Sequence, residues 1–299
     1  MKIFAPDYYK DFRCIAGSCQ HSCCIGWEID IDRKTADFYK NVPGNFGKRL
    51  CENIDFHEEG GTFRLCENER CPFLNEKGLC DIIINLGESA LGQVCDDHPR
   101  FRNFYESRTE IGLGLCCEAA AKLILEKQSP FSVSEIEDDS EFTETVPEEE
   151  SFFAFREKTF RTVQNRNLPM ERRIENLLEL CETSLPEKTF SEWAEIYLGL
   201  ERLDKKWTEV LEYMAKNPSP PKIPDEVSAE QLLCYYLFRH FSIEEPELSC
   251  AFAVLSFYIT EKAAEYTGLL ESARLYSSEI EYSDENKEKL LDIIYETEV

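Results

Sequence analysis

The sequence predicts a mainly α protein in which a cysteine-rich, metal-binding lobe packs on an all-helical C-terminal lobe. Three observations carry this expectation. Eleven of the 14 cysteines fall between positions 14 and 117. Residues 130–150, PFSVSEIEDDSEFTETVPEEE, hold nine acidic side chains and no basic one, a stretch that repels itself and reads as an exposed linker. Beyond it, apolar residues recur at helical spacing to the end of the chain. The expected organisation is a cysteine-rich domain over residues 1–129, an acidic linker over 130–150 and a helical domain over 151–299.

The elements follow in order. Residues 27–32 (WEIDID) alternate as a short strand does, and Asp32 can then cap a helix over 34–39. Residues 110–115 read as a strand or an extended segment. Residues 118–126 (EAAAKLILE) are helical by alanine and leucine propensity. Phe152, Phe153, Phe155, Phe160 and Val163 mark one amphipathic helix, and Ile174, Leu177, Leu178 and Cys181 mark a second over 170–181. A longer helix over 190–214 is broken near Asp204. Pro218, Pro220, Pro221 and Pro224 then interrupt. Ser228 is the expected N-cap of a helix running to Phe241. Residues 247–266 form a central buried helix stopped at Gly268, and Leu290, Leu291, Ile293 and Ile294 lie on a last helix.

Charge and hydropathy narrow the function. A net charge of −26 repels phosphate backbones and argues against nucleic-acid binding. It draws in a basic partner or a lysine-bearing substrate, or else serves solubility alone. No run of 18 apolar residues exists, so no transmembrane segment is expected. The first residues lack the apolar stretch of a secretion signal, which makes the cytoplasm the expected location. In that compartment, thiols stay reduced, and dense cysteines read as metal ligands.

Those cysteines form three groups: Cys14, Cys19, Cys23 and Cys24; Cys66, Cys71 (followed by Pro72, Phe73 and Leu74), Cys80 and Cys95; and the pair Cys116 and Cys117. Structural zinc sites usually show paired C-x2-C ligands, and the chain has none. Iron–sulfur clusters take four thiolates at irregular spacing, so the pattern favours iron–sulfur, with zinc as the alternative. The radical-type C-x3-C-x2-C triad is incomplete, because Gly26 stands where its third cysteine would. Cys181, Cys234 and Cys250 sit on apolar helical faces and read as core residues.

Other residues carry two readings each. His98 can act as ligand or base, or be a turn histidine ahead of Pro99. His21 can replace a thiolate or bond to its own loop. Trp27 is expected to pack over the first cysteine loop. Arg100 and Arg102 can hold a carboxylate, such as that of a methyl donor, or form surface ion pairs. Asp97 can take the proton that a lysine amine must lose before methylation. Gly112 and Gly114 suggest a nucleotide loop, but Cys116 replaces the third glycine and RNFYESRT ahead of it gives no buried strand. That reading is set aside.

The strings FRCIAGSCQHSCCIGWEIDID, CPFLNEKGLCDIIINLGESALGQVCDDHPR and LGLCCEAAAKLIL, in this order over residues 1–127, resemble the flagellin lysine-N-methylases of the FliB type, within the wider group of zinc- or iron-chelating cysteine-cluster proteins. The resemblance implies methyl transfer from S-adenosylmethionine to flagellin lysines and an oxygen-sensitive 4Fe–4S cluster. Carried over position by position, the family cysteines fall on Cys14, Cys19, Cys23, Cys24, Cys71, Cys80, Cys95 and Cys117, twice the four that one cluster needs. The family's tyrosine–proline–arginine step appears as His98, Pro99 and Arg100, and its CPEAAR segment as CEAAAK, with Glu118 and Lys122 substituted. The alternative from another class is a non-enzymatic module for metal chelation, delivery or sensing, whose helices recognise a partner.

Overall fold

The computed structural model describes residues 2–138 and 146–298. It is mainly α, with 13 α-helices and seven strands in two small sheets among the described residues. The chain divides into two compact units, one made of residues 13–101 and the other of residues 1–12 with 102–299.

Strand β1 (Lys2–Pro6) opens the chain. In the unit of residues 13–101, two irregular cysteine loops flank a small core. Strand β2 (Asp30–Asp32) is shorter than the alternation suggested, with Ile31 facing inward. Asp32 then caps α1 (Arg33–Lys40), as expected, its carboxylate accepting from the Thr35 amide at 2.9 Å. Next come α2 (Gly44–Glu52), β3 (Ile54–His57) and β4 (Gly60–Phe63). The strands form an antiparallel sheet in the order β2-β4-β3. Helices α3 (Asp81–Leu86) and α4 (Gln93–Asp97) follow. Ile29, Ile31, Tyr39, Leu50, Phe63, Phe73 and Ile82 make the core. Gly60 governs the β2–β4 contact, since a Cβ there would stand 2.0 Å from the Ile31 carbonyl oxygen. Gly60→Ala is therefore expected to destabilise this unit by about 1–3 kcal/mol through forced backbone displacement. Urea unfolding of the variant against the parent chain measures it.

The other unit begins with a mixed sheet. Strands β5 (Arg100–Phe104), β6 (Arg108–Leu113) and β7 (Val133–Asp138) join β1 in the order β5-β6-β1-β7. β1 runs parallel to β6, with Ile3 opposite Thr109, and antiparallel to β7, with Ala5 opposite Ser134. Two sequence readings change here. The start of the expected linker is a sheet strand, its acidic residues paired through their backbone with the chain's first residues; 139–145 lie outside the described residues. The expected break near residue 130 also does not coincide with the division of the fold. Residues 1–12 and 102–129 belong with the helices, because β1 is held between β6 and β7 and α5 (Glu118–Leu125) packs on later helices.

The helical series largely follows the sequence pattern. It comprises α6 (Pro147–Val163), α7 (Met170–Leu180), α8 (Phe190–Leu198), α9 (Lys205–Ala215), α10 (Glu226–His240), α11 (Pro246–Thr267), α12 (Leu269–Tyr276) and α13 (Asp284–Glu298). The break near Asp204 is real, and Asp204 caps α9. Helix α11 is buried along most of its length and ends at Gly268. The N-cap of α10 is Asp225 rather than Ser228: its carboxylate accepts from the Val227 and Ser228 amides, which starts the helix three residues earlier. A π-helical turn, Ser277–Glu281, follows α12 and has no counterpart in the sequence reading. Cys181, Cys234 and Cys250 are core residues, as expected.

Strand β6 corrects a further point. It matches the strand expected at 110–115 but starts at Arg108, so the end of RNFYESRT, expected to give no buried strand, enters it ahead of Gly114 and α5. Its glycine serves packing: a Cβ at Gly114 would lie 2.5 Å from the Tyr282 hydroxyl and 3.1 Å from Arg239 Nη1.

Candidate metal centre

Within residues 13–101, four cysteines come together from four separate segments. Cys24 lies on the first loop, Cys71 on the second, Cys80 at the head of α3 and Cys95 on α4. The Cys71 amide donates to the Cys24 carbonyl at 2.8 Å, and Leu74 and Cys80 form a β-bridge that folds the second loop back on itself. Cys71 is part of the core; Cys24, Cys80 and Cys95 pack against it. Every pair among the four lies within electrostatic reach: Cys24 and Cys80 act on Cys71, Cys24 acts on Cys80, and Cys24, Cys71 and Cys80 all act on Cys95.

The surroundings fit these sulfurs as anionic ligands. The Phe73 and Leu74 amides lie by the Cys71 sulfur, and the Ile83 and Ile82 amides at the first turn of α3 lie by the Cys80 sulfur, each lowering its thiol. Such donors favour thiolate over thiol. Burial outweighs them in the bare protein: it pushes Cys71 and Cys95 up to about 12 and raises Cys80. A hydrogen bond from Cys23 brings Cys24 down to about 7, against burial and with help from Ser22 and the Arg70 charge. A cation among four such groups exchanges their protons for coordination. Among the described residues, no group of three or more His, Cys, Asp or Glu side chains is drawn tightly enough for one metal ion.

Of the eight cysteines expected as ligands, four thus meet. The others are placed differently. Cys14 is exposed and accepts from the Ala16 amide, Cys19 Sγ donates to the His21 carbonyl at 3.1 Å, and Cys23 is exposed beside Cys24. Cys117 is the N-cap of α5 and belongs to the other unit. None of the 14 cysteines is in a disulfide. The amides of Phe73, Leu74, Ile82 and Ile83 escaped the sequence reading, although the proline after Cys71 already marked a turn there.

The chain is 26% identical over 139 residues to lysine-N-methylases of Salmonella choleraesuis and Salmonella typhimurium, a match covering 44% of this chain and 35% of each relative. It is equally similar to the flagellar biosynthetic protein FliU of Salmonella muenchen, of which 82% is covered. The chain is a relative of the lysine-N-methylases. The matched stretch spans about a third of those two lysine-N-methylases' length. No family model matches the chain, and no solved structure does.

Three more residues that the sequence singled out follow Cys95. Asp97 ends α4 and faces a cleft that also carries Asp30, Asp32 and Glu59. His98 lies against Trp27, with ring centroids 6.4 Å apart; burial, then the Arg100 charge, lowers it to about 4, so its imidazole is neutral at pH 7. Arg100 Nη1 donates to the Asp96 carbonyl at 2.9 Å. Trp27 is tied to the first cysteine loop, its Nε1 donating to the Cys23 carbonyl at 2.7 Å. Arg102, two positions along β5, falls in the other unit. No helix among the described residues is long and apolar enough to cross a membrane.

Proposed function

We propose that the chain binds a 4Fe–4S cluster through Cys24, Cys71, Cys80 and Cys95 and serves as a protein lysine N-methyltransferase that uses S-adenosylmethionine, with flagellin as substrate. The observation that carries this reading is the four-thiol set, drawn from four segments and mutually within electrostatic reach. The names of the relatives supply the reaction class and the link to flagella. A bound cluster would supply a redox-active, Lewis-acidic centre.

The protein's own residues have definable tasks in this reading. Methylation needs a neutral ε-amine, whose nitrogen forms the new N–C bond as the sulfonium S–C bond breaks. Asp97 is the proposed acceptor of the amine's proton. Neutral His98 and Trp27 wall the first cysteine loop. Arg100 is the proposed partner of the donor's carboxylate, with its guanidinium oriented by the Asp96 carbonyl.

Anaerobic purification followed by iron and sulfide analysis and electron-resonance spectra tests the cluster. Incubation with methyl-labelled S-adenosylmethionine and flagellin tests the transfer. The expected result is four irons per chain and label on flagellin lysine. An intact cluster with no label on protein would favour a metal-binding module, and zinc alone in place of iron would overturn the cluster assignment.

A further inference from the structure

We infer that Asp32, together with Tyr39, positions Cys95 as a ligand of the proposed metal centre, an inference that rests on the four-cysteine reading above. The four ligand segments are joined in two ways. Backbone bonds link three of them: the Cys71 amide donates to the Cys24 carbonyl at 2.8 Å, and the Asp81 amide, beside Cys80, donates to the Phe73 carbonyl at 2.8 Å. The fourth segment, α4, is fixed to α1 through side chains.

Helix α4 has five residues, too few to stand alone. Its N-cap is Gly92, which has no side chain to offer the first amides. Asp32 supplies that acceptor from 61 positions away. One of its carboxylate oxygens accepts from the Thr35 amide at 2.9 Å; the other accepts from the Thr35 hydroxyl at 2.7 Å and from the Gln93 amide at 3.1 Å. A single carboxylate thus serves the first turns of α1 and α4 together. Toward the other end of α1, the buried Tyr39 hydroxyl donates to the Ala90 carbonyl at 2.7 Å. Residues 90 and 93 are therefore both tied to α1. Cys95, whose amide donates to the Gly92 carbonyl at 3.0 Å, follows in the same turn. A metal ligand must be held within about 0.5 Å of its working position, and the groups that hold it are worth about ten- to a hundredfold in metal affinity.

The test uses the full chain, purified without oxygen. Asp32→Ser keeps the cap of α1, since serine caps as well as aspartate does. Its single oxygen sits one bond closer to the backbone and leaves the Gln93 amide without an acceptor. Hydrogen exchange over residues 90–97 should then run about tenfold faster than in the parent chain, the usual worth of a hydrogen bond to a charged group, with α1 and the β3–β4 hairpin unchanged. Iron should pass to excess EDTA about tenfold faster. Tyr39→Phe removes only the hydroxyl; it should move both readings the same way, and it decides alone if Asp32→Ser does not fold. Thr35→Val takes away the other side-chain donor to Asp32 and should move neither. Exchange equal to the parent's in both variants overturns the inference. So does faster exchange over 90–97 with iron release unchanged, or faster exchange spread evenly over residues 13–101, which would leave Asp32 and Tyr39 as parts of the core and nothing more. The two readings fail separately: a parent chain without bound metal removes the metal centre, whereas bound iron with no contrast between parent and variants removes only the tether.

Discussion

Cys71→Ser is expected to leave the protein without iron or labile sulfide and to unfold much of residues 13–101. Serine offers a hard, protonated oxygen where a soft thiolate is required, and Cys71 sits in the core with Cys24, Cys80 and Cys95 within electrostatic reach. The unit around it has a small core and two irregular cysteine loops, so the proposed metal group would carry much of its stability. Structural metal sites contribute on the order of 10 kcal/mol, comparable to the whole stability of an ordinary domain. Serine at Cys24, Cys80 or Cys95 should act alike, whereas Cys51→Ser, exposed on α2, should retain full iron. Loading must expel protons from thiols that burial holds protonated, so iron retention should fall as pH falls. Iron and sulfide analysis after anaerobic reconstitution, with limited proteolysis of the same samples, checks both effects. Full iron in Cys71→Ser, together with loss in Cys14→Ser or Cys23→Ser, would move the centre to the outer loop.

The helices were legible because their signals are local. Asp32, Asp204, Gly268 and the prolines after α9 act within one turn of where they stand. Asp225 and Ser228 are both good N-caps three residues apart, and only the fold shows which amides need an acceptor. The sheets were less legible because pairing is remote: Lys2 lies opposite Arg108 and Asp138, and no local pattern announces that an acidic stretch will close a sheet beside the first residues. The same distance hid the centre. Composition suggests sulfur ligation, but which of the eight cysteines come together depends on how the first loop, the second loop, α3 and α4 approach one another. The cleft carboxylates were illegible for a related reason. Asp30 and Asp32 share a strand, but Glu59 and Asp97 reach the same hollow from a hairpin and a helix.

Arg239→Leu is expected to cost the unit of residues 1–12 and 102–299 about 3–5 kcal/mol, the usual consequence of stranding one member of a buried ion pair. Glu281 ends the π-helical turn and is buried. One oxygen meets His240 Nε2 at 2.7 Å; the other accepts from the Tyr235 hydroxyl at 2.8 Å and lies 3.3 Å from Arg239 Nη1. Burial alone would raise Glu281, but the Arg239 charge and the His240 hydrogen bond prevail and bring it to about 2. Because that value lies below the unfolded carboxyl's, the group stabilises the parent chain above about pH 4.5 and loses this effect as pH falls toward 2. Without Arg239 the burial effect dominates, and the folded value rises above the unfolded one. The sign then reverses: stability in the variant is greatest at low pH and declines as pH rises from about 5 to 7, where this group leaves the parent flat. Urea unfolding at pH 5 and pH 7 reads the change in slope. Adding Glu281→Gln should remove the slope and recover more than half of the loss, because an amide left there carries no charge to desolvate. A double variant no more stable than Arg239→Leu would assign the cost instead to the stacking of Arg239 on Tyr282, 4.7 Å from guanidinium to ring centre.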